Sequence, residues 1–382
     1  MPNSNDKKVK VYISLDKLAS NLKSAVSAMQ DLGNIDLRID YIPTNNESKE
    51  TQLINLRESY RNQKLVLVLG SGSSKAYGLP DWDTLLQKLL MKSLESESEI
   101  FNDSKNISSL IINLFSPSRL ILARNIQLRC KNNNLEDLSF EKDVRDVIYE
   151  EIDDTEINPS FKEIRQFCIA PGKSPNLDSI ITFNYDDTLE NCLSQLEIEI
   201  PFKSIYSAGV QPKVGELPIY HVHGFLPRNG KLDSKNKITL SEDLYHQLYK
   251  EIYCWSNIVQ INKYTNNTCL FIGTSFTDPN LRRLLDVAKE QKGDKLIYHY
   301  IIRKRHNEEK IKNEFSKIIS KPNQGIDDSE EESNRKIEEN VYMLIRLMER
   351  YEEEDALSFG VSIIWVDNYD EIPTILSKIR NS

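Results

Sequence analysis

Apolar residues follow two alternating rhythms along this chain. Short runs of strand length recur: "KLVLVLG" (64–70), "LDSIITFNYD" (177–186), "PIYHVHGF" (218–225), "TCLFIGTS" (268–275), "KLIYHYIIR" (295–303) and "FGVSIIWV" (359–366). The first is a continuous apolar run, as a strand buried on both faces of a parallel sheet requires. Between most of these runs lie helical patterns. "DTLLQKLLMKSL" (83–94) sets leucines three and four residues apart, "YDEIPTILSKI" (369–379) closes the chain as a helix, and residues 100–165 read as mostly helical. Polar breaks interrupt that stretch at "NDSKN" and "CKNNN". Strand–helix alternation of this kind predicts an α/β fold, a Rossmann-like, mostly parallel sheet with helices on both faces plus a helical insertion module.

The expected organisation has three parts. Residues 1–60 form an N-terminal extension with a strand-like "VKVYIS" and a helical "LDKLASNLKSAVSAMQDL". Residues 61–300 form the core, with the helical insertion at about 85–165. Residues 301–382 carry an acidic loop at 320–340 and a final strand and helix that complete the core.

Composition narrows the possible functions. A net charge of −9 over 382 residues argues against direct nucleic-acid binding, which leaves a basic footprint. The basic stretch "IIRKRHNEEK" fits a solvated helix face. Five scattered cysteines with no Cys-x-x-Cys argue against a disulfide framework and a thiolate zinc site. The start lacks a signal-peptide pattern, and no run approaches a membrane-spanning length. A soluble, cytoplasmic protein is the expectation.

Ligands of open parallel sheets sit beyond the carboxyl ends of the strands. Four strands here end in polar cargo that would converge on one rim. Gly70-Ser71-Gly72-Ser73-Ser74 suits a tight turn whose N–H groups approach a phosphate, with serine hydroxyls as further donors. It reads equally well as a plain strand-to-helix turn, since Lys75 stands where a dinucleotide fingerprint needs its third glycine. Asn184-Tyr185-Asp186 offers an amide able to hold water or a ribose hydroxyl, while Asp186 or Asp187 caps the next helix. His221 and His223 alternate on a strand and so share a face. His221 suits a hydrogen-bonded core position, and His223, beside Gly224, suits a general base. A metal pair is the other reading, but no third ligand follows by spacing. Gly273-Thr274-Ser275 is a second phosphate or ribose contact or a simple turn, and Asp278-Pro279 starts a helix.

In their order, "GSGSS", "GLPDW", "FNYDDTLE", "HVHG" and "GTSFTDPN" resemble the sirtuin family, most closely its bacterial, defence-associated branch. The resemblance runs from about Val66 to Ser275. It implies a Rossmann-like sheet binding NAD⁺ as substrate. Gly70, Gly72 and Ser74 would match the family's phosphate loop, and Pro80, Asp81 and Trp82 its cofactor-binding loop. Asn184 would be the catalytic asparagine, Asp186 its neighbour at the nicotinamide ribose, and His223 the catalytic histidine. Gly273, Thr274 and Ser275 would contact ribose and phosphates. Asp83 and Phe183 depart from the deacylase pattern, and the zinc ribbon of deacylases has no counterpart. The implied activity is an NAD⁺ hydrolase that releases nicotinamide and linear or cyclic ADP-ribose in anti-phage defence. Control would come from homo-oligomerisation or a partner such as a HerA-type ATPase. An NAD⁺ or ADP-ribose sensor without turnover is the alternative, and a protein deacylase ranks below both.

Overall fold

The computed structural model describes residues 47–95, 108–112, 118–133, 138–169, 176–195, 201–292, 299–319 and 330–381. Seven strands form one sheet: β1 (Leu65–Leu69), β2 (Leu177–Thr182), β3 (Phe202–Ile205), β4 (Leu217–His221), β5 (Thr268–Ile272), β6 (His299–Lys304) and β7 (Val361–Val366). Every pairing is parallel, in the order β3-β4-β2-β1-β5-β6-β7. The α/β expectation holds.

Strand β1 shows why the centre is fixed. All five residues of Leu65-Val66-Leu67-Val68-Leu69 are buried. Side chains of a strand alternate between faces, so Leu65, Leu67 and Leu69 join one apolar cluster and Val66 and Val68 the other. The first cluster holds α1 (Lys49–Arg61), the insertion helices α2 (Trp82–Glu95), α3 (Arg119–Asn133), α4 (Ser139–Tyr149) and α5 (Pro159–Cys168), and the C-terminal α12 (Ile372–Arg380). On the opposite face, α8 (Trp255–Asn266) and α9 (Pro279–Lys292) contribute Tyr264, Leu281 and Leu284. Between them, α6 (Thr188–Ser194) follows β2, and α7 (Glu242–Lys250) precedes α8.

The chain leaves β1 toward β2 on one side and leaves β5 toward β6 on the other. That reversal opens a crevice at the carboxyl ends of β1 and β5, where open α/β sheets bind ligands. The two loops there touch backbone to backbone. The Gly72 N–H donates to the Gly273 carbonyl at 2.9 Å and the Gly70 N–H to Ile272 at 3.0 Å. A Cβ on Gly70 or Gly72 would meet the Gly273 carbonyl oxygen at 2.7 or 2.8 Å. Gly273 has φ 69°, and a Cβ there would lie 2.2 Å from the Ser73 nitrogen. Glycine is required for close approach as well as for conformation.

Two sequence expectations change. Strand β3 was missed because it is four residues long with a half-buried pattern. Part of the stretch expected as an acidic loop is helical instead, since residues 330–340 open α11 (Glu330–Ser358). Its Glu, Lys and Arg residues are good helix formers, and Arg335 and Glu339 pair across one turn at 3.4 Å. Residues 320–329 and the extension through residue 46 lie outside the described residues. The chain divides into two compact units, one holding Asn46–Arg305 with Glu353–Ser382 and the other including His306–Glu352. The second contains α10 (Glu308–Ile319) and most of α11.

Replacing Gly273 with Ala is expected to cost about 3 kcal/mol of unfolding free energy, from left-handed strain plus a backbone clash. Gly209→Ala, at φ 83° with nothing within 4 Å, isolates the strain and is expected to cost about 1 kcal/mol. Urea unfolding of both variants checks the difference.

Candidate active site

A cleft opens where the β1 and β5 loops meet. Its empty space, with the open mouth included, is about 830 Å³. The β1 loop supplies Gly70, Ser71 and Ser74, and the β5 loop supplies Gly273, Thr274 and Ser275. Phe183 through Asp186 enter from β2 and His223 from the end of β4. Pro80, Trp82, Leu85 and Ile148 give the helical insertion an apolar wall.

Asn184 is held from both ends. Its side-chain Nδ2 donates to Ser74 Oγ at 2.9 Å and Ser73 Oγ at 3.3 Å, and its backbone N–H donates to Thr182 Oγ1 at 3.0 Å. The side-chain oxygen Oδ1 is buried without a partner. The same is true of His223 Nε2, Thr274 Oγ1 and Trp82 Nε1. All four residues line this one cleft. A buried polar atom left unpaired costs about 1 to 3 kcal/mol, so four around one cavity mark a place built for a polar ligand. Together they offer an amide acceptor, an indole donor, a hydroxyl and an imidazole.

His223 is 3% exposed. Burial pulls its imidazole below the ordinary value, against the opposing charge of Asp278, so it rests neutral. Phe183 meets the ring edge-on at 4.8 Å and Tyr245 at 5.6 Å. The nearest carboxylate oxygen, Asp278 Oδ2, is 3.7 Å from Nε2. Asp278 caps α9 as the sequence indicated, with Oδ1 accepting the Leu281 N–H at 2.7 Å. Its other oxygen accepts a short hydrogen bond from the Tyr245 hydroxyl.

The structure gathers most of the residues named from sequence at this cleft and leaves out three. Gly72 and Ser73 do not line it. The N–H groups of Gly70, Gly72 and Ser73 donate to the Ile272, Gly273 and Gly70 carbonyls. Asp81 caps α2 through Thr84, with N–H and hydroxyl bonds of 3.0 and 2.8 Å. It also pairs with Lys75 at 2.9 Å, which with the Thr84 contacts lowers its carboxyl to about 2. Asp186 lies at the cleft, yet its Oδ1 caps Thr188 at 3.1 Å, and burial raises its carboxyl. Sequence reasoning missed Tyr245, which approaches His223 from α7, outside every motif. Among the described residues, no three or more His, Cys, Asp or Glu side chains form a metal-binding group, and no helix is long and apolar enough to cross a membrane.

The two histidines do not share a face. Strand β4 ends at His221, and the following turn, with Gly224 at φ 104°, swings His223 to the cleft. His221 stays in the core. Its Nε2 meets Glu190 Oε1 at 2.7 Å, and its Nδ1 meets the Asn184 carbonyl at 3.2 Å. Both partners are acceptors, so both nitrogens carry protons. Burial alone would lower His221, but Glu190 outweighs it and raises it. Burial would likewise raise Glu190, but His221 and Ser204 outweigh it and lower it. Glu190 contributes stability that is present above its ordinary 4.5 and lost as pH falls through the folded value. His221 contributes stability that is present below its ordinary 6.5 and lost as pH rises through the folded value. Glu190→Gln is therefore expected to cost about 3 kcal/mol between those limits and to flatten both limbs of stability against pH. Urea unfolding across the pH range checks it.

A family model for a SIR2-like domain matches residues 178–339. The matched segment contains Asn184, His223, the β5 loop and Asp278, while β1 and its glycine turn precede it. The chain is also 26% identical, over 206 residues, to the NAD(+) hydrolase ThsA of Enterococcus faecium. That similarity covers 53% of this chain and 38% of the relative, so the chain spans well under half of the relative's length. The parallel sheet and the asparagine–histidine cleft thus lie in a chain whose residues 178–339 are similar to a SIR2-like domain.

Proposed function

We propose that this chain hydrolyses NAD⁺ at the bond between nicotinamide and ribose. The observation that carries this reading is the set of four unpartnered polar atoms, on Trp82, Asn184, His223 and Thr274, around one cleft at the switch point of the sheet. The name of the similar relative supports the same chemistry.

The reaction needs little covalent help from the protein. The nicotinamide nitrogen already carries a positive charge, so it departs with the electron pair of its bond to C1′ and becomes neutral. Water adds its oxygen to C1′ and gives up a proton. The products are nicotinamide, ADP-ribose and that proton. Asn184 Oδ1 orients the water or a ribose hydroxyl, its amide fixed by Ser73 and Ser74. His223, neutral at rest, takes the proton. Trp82, Phe183 and Leu85 exclude bulk solvent from the developing positive charge, and Thr274 holds a sugar or phosphate oxygen.

We read this activity as part of anti-phage defence, in which depletion of NAD⁺ halts an infected cell. The same reading adds control by self-assembly or by a partner such as a HerA-type ATPase. A sensor would use the same cleft to bind NAD⁺ without releasing nicotinamide, and a deacylase would release it only with an acyl-lysine peptide present.

Purified full-length protein, incubated with NAD⁺ alone and with candidate partners, is expected to release nicotinamide without any peptide. His223→Ala and Asn184→Ala are each expected to cut that rate by about 100-fold or more, with Tm within a few degrees of the parent. Saturable NAD⁺ binding without release under every condition contradicts the reading. Activity retained in His223→Ala removes the base.

A further inference from the structure

A histidine that takes a proton becomes an imidazolium, and a buried imidazolium needs an opposite charge close by. His223 has one within reach but not in contact. Asp278 Oδ2 stands 3.7 Å from Nε2, and a charge-assisted N–H···O bond is about 2.8 Å long. A movement of about 1 Å closes the gap. Nε2 has no other partner. Asp278 cannot drift away, because its Oδ1 is fixed by the Leu281 N–H at the start of α9 and its Oδ2 by the Tyr245 hydroxyl from α7. Tyr245 itself is 1% exposed.

We propose that Asp278 and Tyr245 are positioning residues for His223: the carboxylate receives the ring's N–H when His223 gains its proton, and the phenol holds that carboxylate ready. This rests on the reading of His223 as the base. In the resting state the Tyr245 O–H partly satisfies Asp278, so the carboxylate does not charge His223 prematurely. When the proton arrives on the other ring nitrogen, the Nε2–H turns toward Oδ2. The positive charge is then shared with a carboxylate already desolvated and aligned, and no new charge has to be buried. Proton count is conserved throughout: water loses one proton, the imidazole gains it, and Asp278 stays ionised.

The groups facing His223 are few. Phe183 brings an uncharged ring from the loop after β2, Tyr245 comes from α7 and Asp278 from the start of α9. Tyr185 and Tyr249 feel Asp278, and burial keeps both phenols protonated.

Two substitutions separate this role from a packing role. Asp278→Asn keeps an oxygen for the Leu281 cap and removes the charge. Tyr245→Phe keeps the ring and removes the hydroxyl that tempers Asp278. The His223 imidazole, assigned by comparison with His223→Gln, is titrated by ¹H–¹⁵N NMR in the full-length protein and both variants. Asp278→Asn is expected to shift the titration down by about 1 pH unit and Tyr245→Phe to shift it up. The acidic limb of kcat/KM is expected to move in the same directions. In Asp278→Asn, kcat for nicotinamide release is expected to fall between about 10- and 100-fold with KM nearly unchanged.

An unmoved His223 titration in Asp278→Asn overturns the proposal whether or not NAD⁺ is cleaved. Should that variant fail to fold, an unmoved titration in Tyr245→Phe overturns it. Opposite shifts in a protein whose parent never releases nicotinamide would uphold the Asp278–Tyr245 arrangement and contradict the hydrolase reading alone.

Discussion

The contact between the Gly72 N–H and the Gly273 carbonyl sets the geometry on which the rest of the cleft depends. It joins loops that leave adjacent parallel strands at the sheet's switch point. No side chain could stand between them, since a Cβ on either side falls under 3 Å from backbone. Once the loops are locked, Ser73 and Ser74 lie where they grip the Asn184 amide. Gripping the nitrogen end leaves the oxygen end with nothing to bond. One backbone approach thus turns an ordinary strand end into a directed acceptor.

Electrostatics divides the labour between two histidines that are two residues apart. Both are buried, and burial by itself disfavours charge. At His221 a carboxylate and a carbonyl meet both ring nitrogens, so the charged form prevails and the ring becomes structural glue between β4 and the Asn184 loop. At His223 the carboxylate stops short of contact, so the neutral form prevails and the ring keeps its capacity for a proton. A difference of about 1 Å in the distance to the nearest carboxylate separates the paired ring of His221 from the unpaired ring of His223.

Much of this was legible along the chain. Strand β1 declares itself because five consecutive apolar residues fit only a doubly covered strand, and Asn184 and His223 stand at strand ends where the fold rules place ligands. Local chemistry fixes those features. The glycines were legible as a turn, but not the reason for them, because the surface they approach belongs to a strand 200 residues later. Asp81 looked like a ligand contact and proved to be a cap, since Thr84 and Lys75 sit within one helical turn of it. Asp278 showed its capping oxygen in the sequence and hid the other. Tyr245 and Glu190 left no signal, because what they touch is set by how α7 and α6 pack against the sheet. Strand β3 was too short, and too exposed on one edge, to show a period.

The central claim is that the unpartnered atoms of Asn184, Thr274 and Trp82, with the His223 ring beside them, together recognise NAD⁺. The most direct measurement is a crystal structure of the His223→Ala protein grown with saturating NAD⁺. The account predicts the nicotinamide ribose in the cleft, with Asn184 Oδ1 and at least one of Trp82 Nε1 and Thr274 Oγ1 at hydrogen-bond distance. NAD⁺ bound away from the junction of the β1 and β5 loops, or a cleft filled by ordered water alone, would contradict it.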